Sequence, residues 1–182
     1  MKTVRLDRFK TDWYNPGGKL KRIIWYLMNS IFFKSSIPYP CIIKKVLLRS
    51  FGAKVAGNIV VKPSISIKYP WFLTIGDNVW LGENVWIDNL ADVKVGNNVC
   101  ISQGAYITTG NHNYKKETFD LIVSPITIED GVWVGARAII CPGVTLKTHC
   151  VISAGSVVTD NTNSYMVYQG NPAKPTRERK IE

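Results

Sequence analysis

The sequence predicts an all-β solenoid, because aliphatic side chains recur every six residues between Val55 and Val158. Fifteen positions share this phase: Val55, Val61, Ile67, Ile75, Leu81, Ile87, Val95, Ile101, Ile107, Ile128, Val134, Ile140, Leu146, Ile152 and Val158. Such spacing is typical of strands of two or three residues, and a strand of that length cannot bury its apolar face until the next coil of chain stacks on it. The repeat therefore predicts a parallel β-helix.

Turn-forming residues accompany the aliphatic positions at regular offsets, which supports the same fold. A Gly follows several aliphatic residues, as at Gly76 and Gly135, and we expect it to allow a tight bend. Asn or Gly recurs about three residues further on, as at Asn78, Asn98 and Gly143. These residues tolerate the left-handed backbone that such turns need.

Irregular spacing occurs at one corner of the predicted three-sided coil. Steps of eight residues join Ile67 to Ile75 and Ile87 to Val95, and a step of twenty-one residues joins Ile107 to Ile128. Insertions at this corner would stack about 4.8 Å apart. The longest one predicts a projecting loop, 108–125, where function is expected because a rigid scaffold presents it.

The basic charge lies almost entirely in the N-terminal segment, 1–50. It has eleven Lys and Arg against two Asp, whereas the remaining chain is nearly neutral. Two short helices are predicted there, around 20–28 and 42–49, as a cap on the open end of the solenoid. The alternative is contact with an anionic membrane through Trp25, Phe32 and Phe33 among Lys and Arg side chains. No nucleic-acid-binding motif accompanies the charge.

Composition excludes several other classes of protein. The first twenty residues hold no apolar core of a signal peptide, so we expect a cytoplasmic protein, with peripheral contact at the inner membrane face as the alternative. The four Cys form no CxxC pair, and the two His are too few for the three-His zinc site of a carbonic anhydrase. No metal is therefore expected. The domain division is a cap at 1–50, a β-helix at 51–160 and a C-terminal tail at 161–182.

Several motifs together resemble one family. The repeats, the loop TTGNHNY, the run VWVGARAIICPGVTL and the closing GNPAK are similar to those of hexapeptide-repeat acyltransferases, in particular the maltose and galactoside acetyltransferase group. The N-terminal pattern resembles the colanic acid biosynthesis acetyltransferase type. The resemblance implies a left-handed parallel β-helix, acetyl-CoA as the donor, and a homotrimer with active sites between subunits.

His112, in the projecting loop, is the predicted catalytic residue. Transfer of an acyl group to a sugar hydroxyl needs a base that removes the hydroxyl proton, and imidazole suits that role near neutral pH. The resemblance implies the same role for the histidine of this loop. His149 lies in a regular repeat position, and a structural role is predicted for it.

Three residues are predicted to bind the acceptor. Asn84 matches an acceptor-contacting asparagine of the galactoside-type enzymes, although a turn residue in the left-handed region is an equal alternative. Asp88 and Asn89 interrupt the repeat at the insertion corner, where they would face a sugar hydroxyl.

The resemblance implies two groups of donor-binding residues. Trp133, Ala136 and Ala154 would line the path of the pantetheine arm. The nucleotide end would contact Thr159, Lys174 and Arg177. Asp160 replaces a lysine common in the family, and Arg137 or Arg179 would compensate.

The predicted function is acetyl-CoA-dependent O-acetylation of a sugar in exopolysaccharide or other surface-glycan biosynthesis. Two alternatives remain open. One is an acetyltransferase for an amino sugar or xenobiotic, and the other is a non-catalytic β-helix scaffold.

Overall fold

A computed structural model describes residues 3–182 and forms a three-sided parallel β-helix. The first coil contains β1 (Lys54–Val55), β2 (Ile59–Val61) and β3 (Ser66–Ile67), and the second contains β4 (Leu73–Ile75), β5 (Val79–Leu81) and β6 (Trp86–Asp88). The third contains β7 (Val93–Val95), β8 (Cys100–Ile101) and β9 (Tyr106–Thr108). A hairpin of β10 (Gly110–His112) and β11 (Leu121–Val123) follows.

Two more coils complete the solenoid. They contain β12 (Ile126–Ile128), β13 (Trp133–Val134) and β14 (Ile139–Ile140), then β15 (Thr145–Leu146), β16 (Val151–Ile152) and β17 (Val157–Val158). The chain ends in β18 (Met166–Gly170) and β19 (Ala173–Glu178). β18 adds to β16 in parallel and pairs antiparallel with β19, so the predicted tail is an ordered hairpin.

The strands form three sheets whose register matches the six-residue repeat. The first sheet has the order β1-β4-β7-β12-β15, the second has the order β19-β18-β16-β13-β8-β5-β2, and the third has the order β17-β14-β9-β6-β3. All fifteen aliphatic positions of the repeat are buried in one continuous core. The predicted parallel β-helix is therefore confirmed.

The two kinds of turn residue have different roles. Asn78 and Asn98 have positive φ angles of 56° and 55°, as predicted for the left-handed turn position. Gly135 does not have positive φ, and a Cβ there would lie 2.5 Å from the Ile152 carbonyl oxygen of the next coil. The expectation of a permissive bend at Gly135 is therefore wrong, since close contact between stacked coils explains this glycine.

Two helices cover the open end of the first coil. α1 spans Lys19–Met28 and continues into a π-helical turn, Asn29–Phe33, and α2 spans Cys41–Ser50. Short 3-10 helices occur at Leu6–Arg8 and Pro70–Phe72. Trp25 is buried, packs on Phe33 and Phe51, and donates its indole N–H to the Ile67 carbonyl at 2.8 Å.

This packing agrees with the predicted cap and excludes two of the three aromatic residues named for the alternative membrane contact. Trp25 and Phe33 are core residues, so neither reaches a membrane surface. Lys44, one of the basic residues of this segment, is also buried, and its ammonium donates to the carbonyls of Val61 and Lys62 at 3.1 and 3.0 Å. Burial lowers the pKa of Lys44. Within residues 3–182, no helix has both the length and the apolar character needed to cross a bilayer.

The first part of the chain does not belong to the cap. Residues 3–16, here called the N-terminal arm, run along the insertion corner to the hairpin. Arg5 donates its backbone N–H to the Glu117 carbonyl at 2.8 Å, and Arg8 pairs with the Glu117 carboxylate at 2.9 Å. Tyr14 donates its hydroxyl to the Leu90 carbonyl at 2.7 Å. The cap predicted at 1–50 therefore corresponds only to its later part.

Candidate active site

His112 is the last residue of β10, at the base of the hairpin tip. β10 and β11 are antiparallel, with Gly110 opposite Val123 and His112 opposite Leu121. The hairpin leaves the solenoid where the longest insertion was predicted. Two antiparallel strands give the histidine a defined backbone position, which an irregular loop would not.

The His112 ring is held by a hydrogen bond and by aromatic packing. Its Nδ1 lies 3.0 Å from the carbonyl oxygen of Phe119. The ring stacks on the Phe119 ring, with centroids 4.4 Å apart and an interplanar angle of 7°. Phe9 of the N-terminal arm packs on the ring at 5.6 Å. Two separate parts of the chain, the hairpin and the N-terminal arm, thus set the orientation of one side chain.

The hydrogen bond also decides the tautomer of His112. A carbonyl oxygen only accepts, so Nδ1 must carry the proton in the neutral ring. Nε2 then carries the lone pair and can accept a proton from a substrate. The arrangement is chemically suited to general base catalysis.

The hairpin tip has its own charged contacts. Lys116 and Thr118 both bond to the Asp120 carboxylate, and they lower its pKa, with the Lys116 bond contributing most. The backbone N–H of Asn113 donates to the Asp120 carbonyl at 2.8 Å. These contacts close the turn between His112 and Phe119, so they support the hydrogen bond that fixes the tautomer.

The three predicted acceptor-binding residues have different environments. Asp88 is mostly buried, forms an ion pair with Lys68 at 2.9 Å and accepts a hydrogen bond from the Tyr106 hydroxyl at 3.2 Å. Asn84 is exposed, with the positive φ of 59° that a turn residue adopts. Asn89 is buried, and its amide bonds in both directions to the backbone of Tyr69. Asn89 is therefore a structural residue and is not free to meet a sugar.

A cavity of about 310 Å³ lies between α1 and the outer face of the third sheet, beside Asp88. Asp88 is directly opposite Thr108, and its carbonyl accepts the N–H of Thr109 at 3.2 Å. Those two threonines lead into the hairpin. The cavity, named here the α1 cavity, is thus one coil away from the strand that carries His112.

A second depression, the coil groove, has a volume of about 660 Å³ and crosses the corner between the second and third sheets. It is lined by four of the six predicted donor-binding residues, namely Trp133, Ala136, Ala154 and Arg177. The Trp133 indole N–H donates to the Ser102 hydroxyl at 2.9 Å, which holds the ring along the groove.

The remaining predicted donor-binding residues lie outside the coil groove. Thr159 is exposed and donates to its neighbour Asp160 at 3.0 Å, and Lys174 is exposed on β19. Arg179 lines the groove, but its guanidinium donates to the carbonyls of Gly131 and His149. Arg177 is consequently the predicted cation best placed to meet a ligand there.

Comparison with known proteins agrees with this architecture. The model for the hexapeptide repeat of succinyl-transferase matches residues 73–109 and 125–160. The chain is 34% identical over 166 residues to the putative colanic acid biosynthesis acetyltransferase WcaF of Escherichia coli K12, covering 91% of each chain. It is 32% identical to the galactoside O-acetyltransferase of that organism, covering 80% of this chain and 73% of the relative.

The chain belongs to the hexapeptide-repeat acetyltransferase family. One solved member is the acetyltransferase VCA0836 of Vibrio cholerae complexed with acetyl-CoA. It superposes with a TM-score of 0.73 at 27% identity, over 80% of this chain and 81% of that chain. The predictions of family, fold and acetyltransferase class are confirmed.

Some site residues of this acetyltransferase were not identified from the sequence. Phe119 contributes through its backbone carbonyl, which no side-chain pattern reveals, although its positive φ of 50° is unusual for an aromatic residue. Phe9 is about a hundred residues from His112, so the sequence offers no sign of their contact. The ring of His149, for which a structural role is predicted, stacks on the Tyr165 ring with centroids 4.8 Å apart.

Proposed function

We propose that the protein transfers the acetyl group of acetyl-CoA to a sugar hydroxyl, with His112 as the general base. The observation that carries the proposal is the Nδ1 contact with Phe119, which leaves the lone pair on Nε2. Nε2 takes the hydroxyl proton as the sugar oxygen attacks the thioester carbonyl. Collapse of the tetrahedral intermediate breaks the C–S bond, and the imidazolium returns its proton to the departing thiolate.

The coil groove is the proposed site for acetyl-CoA. Its small residues Ala136 and Ala154 let the pantetheine arm lie against the backbone, where the amide groups of the arm bond to backbone N–H and C=O groups. Arg177 and Lys180 at the C-terminal end supply positive charge for the phosphates of the nucleotide. The acetyl-CoA complex of VCA0836 supports the choice of donor.

A homotrimer is the proposed active assembly, and the outer faces of the three sheets support it. The first sheet presents a polar column, Lys54, Thr74, Lys94, Thr127 and Thr145. Ser66 and Trp86 of the third sheet line the α1 cavity, and beyond them this sheet presents Tyr106, Ile139 and Val157. The second presents Val60, Trp80, Cys100, Trp133 and Val151. Apolar columns on two faces favour burial against neighbouring subunits. A trimer would place the hairpin of one chain beside the coil groove of the next.

The proposed substrate is a glycan made by a surface-polysaccharide pathway. Two observations support this class: the similarity to a putative colanic acid biosynthesis acetyltransferase, and that to a galactoside O-acetyltransferase. The proposed location is the cytoplasm, where acetyl-CoA is available.

We also propose peripheral contact with an anionic membrane, through different residues from those first predicted. α1 and α2 expose an aliphatic surface, here called the aliphatic face, consisting of Leu20, Ile23, Ile24, Leu27, Ile42, Ile43 and Val46. Exposed Lys19, Lys21 and Arg49 lie on the same two helices. Cations around an exposed apolar helix face are complementary to an anionic lipid surface.

The test is release of the CoA thiol from acetyl-CoA in the presence of a panel of acceptors. The panel contains free, nucleotide-linked and lipid-linked sugars, an amino sugar and a xenobiotic antibiotic. Turnover with a sugar, and formation of an ester stable to mild acid but cleaved by base, supports O-acetylation. A product that resists base is an amide and favours the amino-sugar alternative. Failure to bind acetyl-CoA at all would favour the scaffold.

A further inference from the structure

The α1 cavity contains more positive charge than its own contacts neutralise. Its walls include Arg22, Lys34, Lys68 and only one carboxylate, Asp88. Lys68 pairs with Asp88 at 2.9 Å. Among residues 3–182, neither Arg22 nor Lys34 forms an ion pair. Two cations therefore remain without a counter-charge at one cavity.

Arg22 is the more informative of the two. Its Nε is buried and has no hydrogen-bond partner within the described part of the chain. Burial of a charged donor without a partner is costly, and buried polar groups in folded proteins almost always have one. Since Arg22 lines a cavity, an anionic ligand would provide the missing partner. A guanidinium binds carboxylates and phosphates through paired hydrogen bonds.

The rest of the cavity suits a sugar. Trp86 lies half exposed on its wall and packs against Tyr106 with ring centroids 4.8 Å apart. An aromatic face of this kind offers an apolar surface to the C–H groups of a sugar ring. Lys34 follows the π-helical turn Asn29–Phe33, a rare element found frequently at functional sites.

We infer that the α1 cavity selects an acceptor bearing an anionic group, a phosphate or a carboxylate, which binds Arg22 and Lys34 while the sugar lies on Trp86. The inference rests on the proposed function, since the cavity lies one coil away from the hairpin that carries His112. It narrows the acceptor to two sources of negative charge: the phosphate of an activated or carrier-linked sugar, and the carboxylate of a uronic acid.

The experiment measures anion binding directly and without acetyl-CoA. Inorganic pyrophosphate, glucuronate and neutral glucose are titrated into the full-length protein while the tryptophan indole N–H signals are followed by NMR. Pyrophosphate or glucuronate is expected to shift Trp86, and whichever anion does so identifies the source of charge. Trp80, on the outer face of the second sheet, is the control signal and should not move. Pyrophosphate bound in the coil groove would shift Trp133 instead.

Variants connect the signal to the two cations. Arg22→Gln and Lys34→Gln should each weaken the anion by about tenfold or more, the usual effect of losing a charged hydrogen bond. Lys54→Gln, an equal charge change on the exposed first strand, should leave the affinity unchanged. Lys34 lies outside α1, so its variant tests the cavity even if Arg22→Gln disturbs the helix.

Two results would overturn the inference. One is the absence of a Trp86 shift with either anion at millimolar concentration, and the other is equal affinity in wild type and both Gln variants. Acetylation of neutral sugars by a protein that fails this test would leave the proposed function intact. Conversely, anion binding at Trp86 without any acetyl transfer to a sugar would contradict the proposed function and leave the anion-binding site supported.

Discussion

Replacement of His112 should abolish most of the turnover and leave the fold intact. General base catalysis typically contributes about 10²–10⁴ in rate, equivalent to about 3–5 kcal/mol of transition-state stabilisation. We place His112→Ala in this range, because Phe119 and Phe9 already hold the ring and only Nε2 is free to act. The acetyl-CoA affinity should change little, since none of the residues that line the coil groove belongs to the hairpin.

The assay combines steady-state thiol release with a separate binding measurement for acetyl-CoA. His149→Asn is the matched control, because it removes the other histidine while asparagine tolerates the positive φ of 57° at that position. It should retain activity within a few-fold. If His112→Ala also turned over within a few-fold of wild type, the base would be a different group.

Three further predictions concern the donor, the assembly and the membrane. Arg177→Ala should raise the KM for acetyl-CoA about tenfold and change kcat less. Lys174→Ala should change neither constant appreciably, because of these two residues only Arg177 lines the coil groove. Equal effects of the two variants in steady-state kinetics would mean that the nucleotide binds elsewhere. Ile139→Lys should dissociate the trimer in sedimentation velocity, because it places a charge on an apolar outer face. The control Thr127→Lys changes the polar outer face of the first sheet and should leave the trimer intact. An active wild-type monomer would contradict the proposed assembly. Ile23→Ser should weaken co-sedimentation with anionic vesicles, because it removes an exposed side chain of the aliphatic face. The wild type should bind anionic vesicles more tightly at low salt and should not bind neutral ones, because each basic residue near the surface contributes about 1 kcal/mol. If the wild type instead self-associates without binding vesicles, and the variant does not, the aliphatic face contacts a second copy of the chain.

Most of the solenoid was predictable because its core is periodic. Positions such as Val95 and Ile128 pair directly across neighbouring strands, even though a hairpin lies between them in the chain. A six-residue period fixes which side chains point inwards, and the irregular steps identify the corner with the insertions. The same period contains a second buried column two residues earlier, as at Val79 and Val93, that the aliphatic spacing alone did not distinguish.

The N-terminal segment was harder to predict, because helical amphipathicity does not say which partner an apolar face meets. The alternative interpretation as a membrane contact placed Trp25 at the surface among basic residues, yet Trp25 is buried against the first coil, and so is Lys44. Lys44 can be buried because the Val61 and Lys62 carbonyls at the end of the solenoid have no further strand to bond and accept hydrogen bonds from its ammonium instead. Such contacts at the end of the solenoid depend on the three-dimensional fold, so the sequence pattern does not predict them.

The candidate active site combines one predictable residue with an environment that is not predictable. His112 follows from its motif, whereas its tautomer depends on the Phe119 carbonyl, and its ring packs against Phe9 of the N-terminal arm. The N-terminal arm reaches the hairpin through Arg5 and Arg8, which bond to Glu117. The same arm therefore contacts both the hairpin tip and the imidazole. The segment that carries most of the net positive charge of this protein thus contacts the proposed catalytic histidine through Phe9 and continues along the α1 cavity, which is where we place the anionic acceptor.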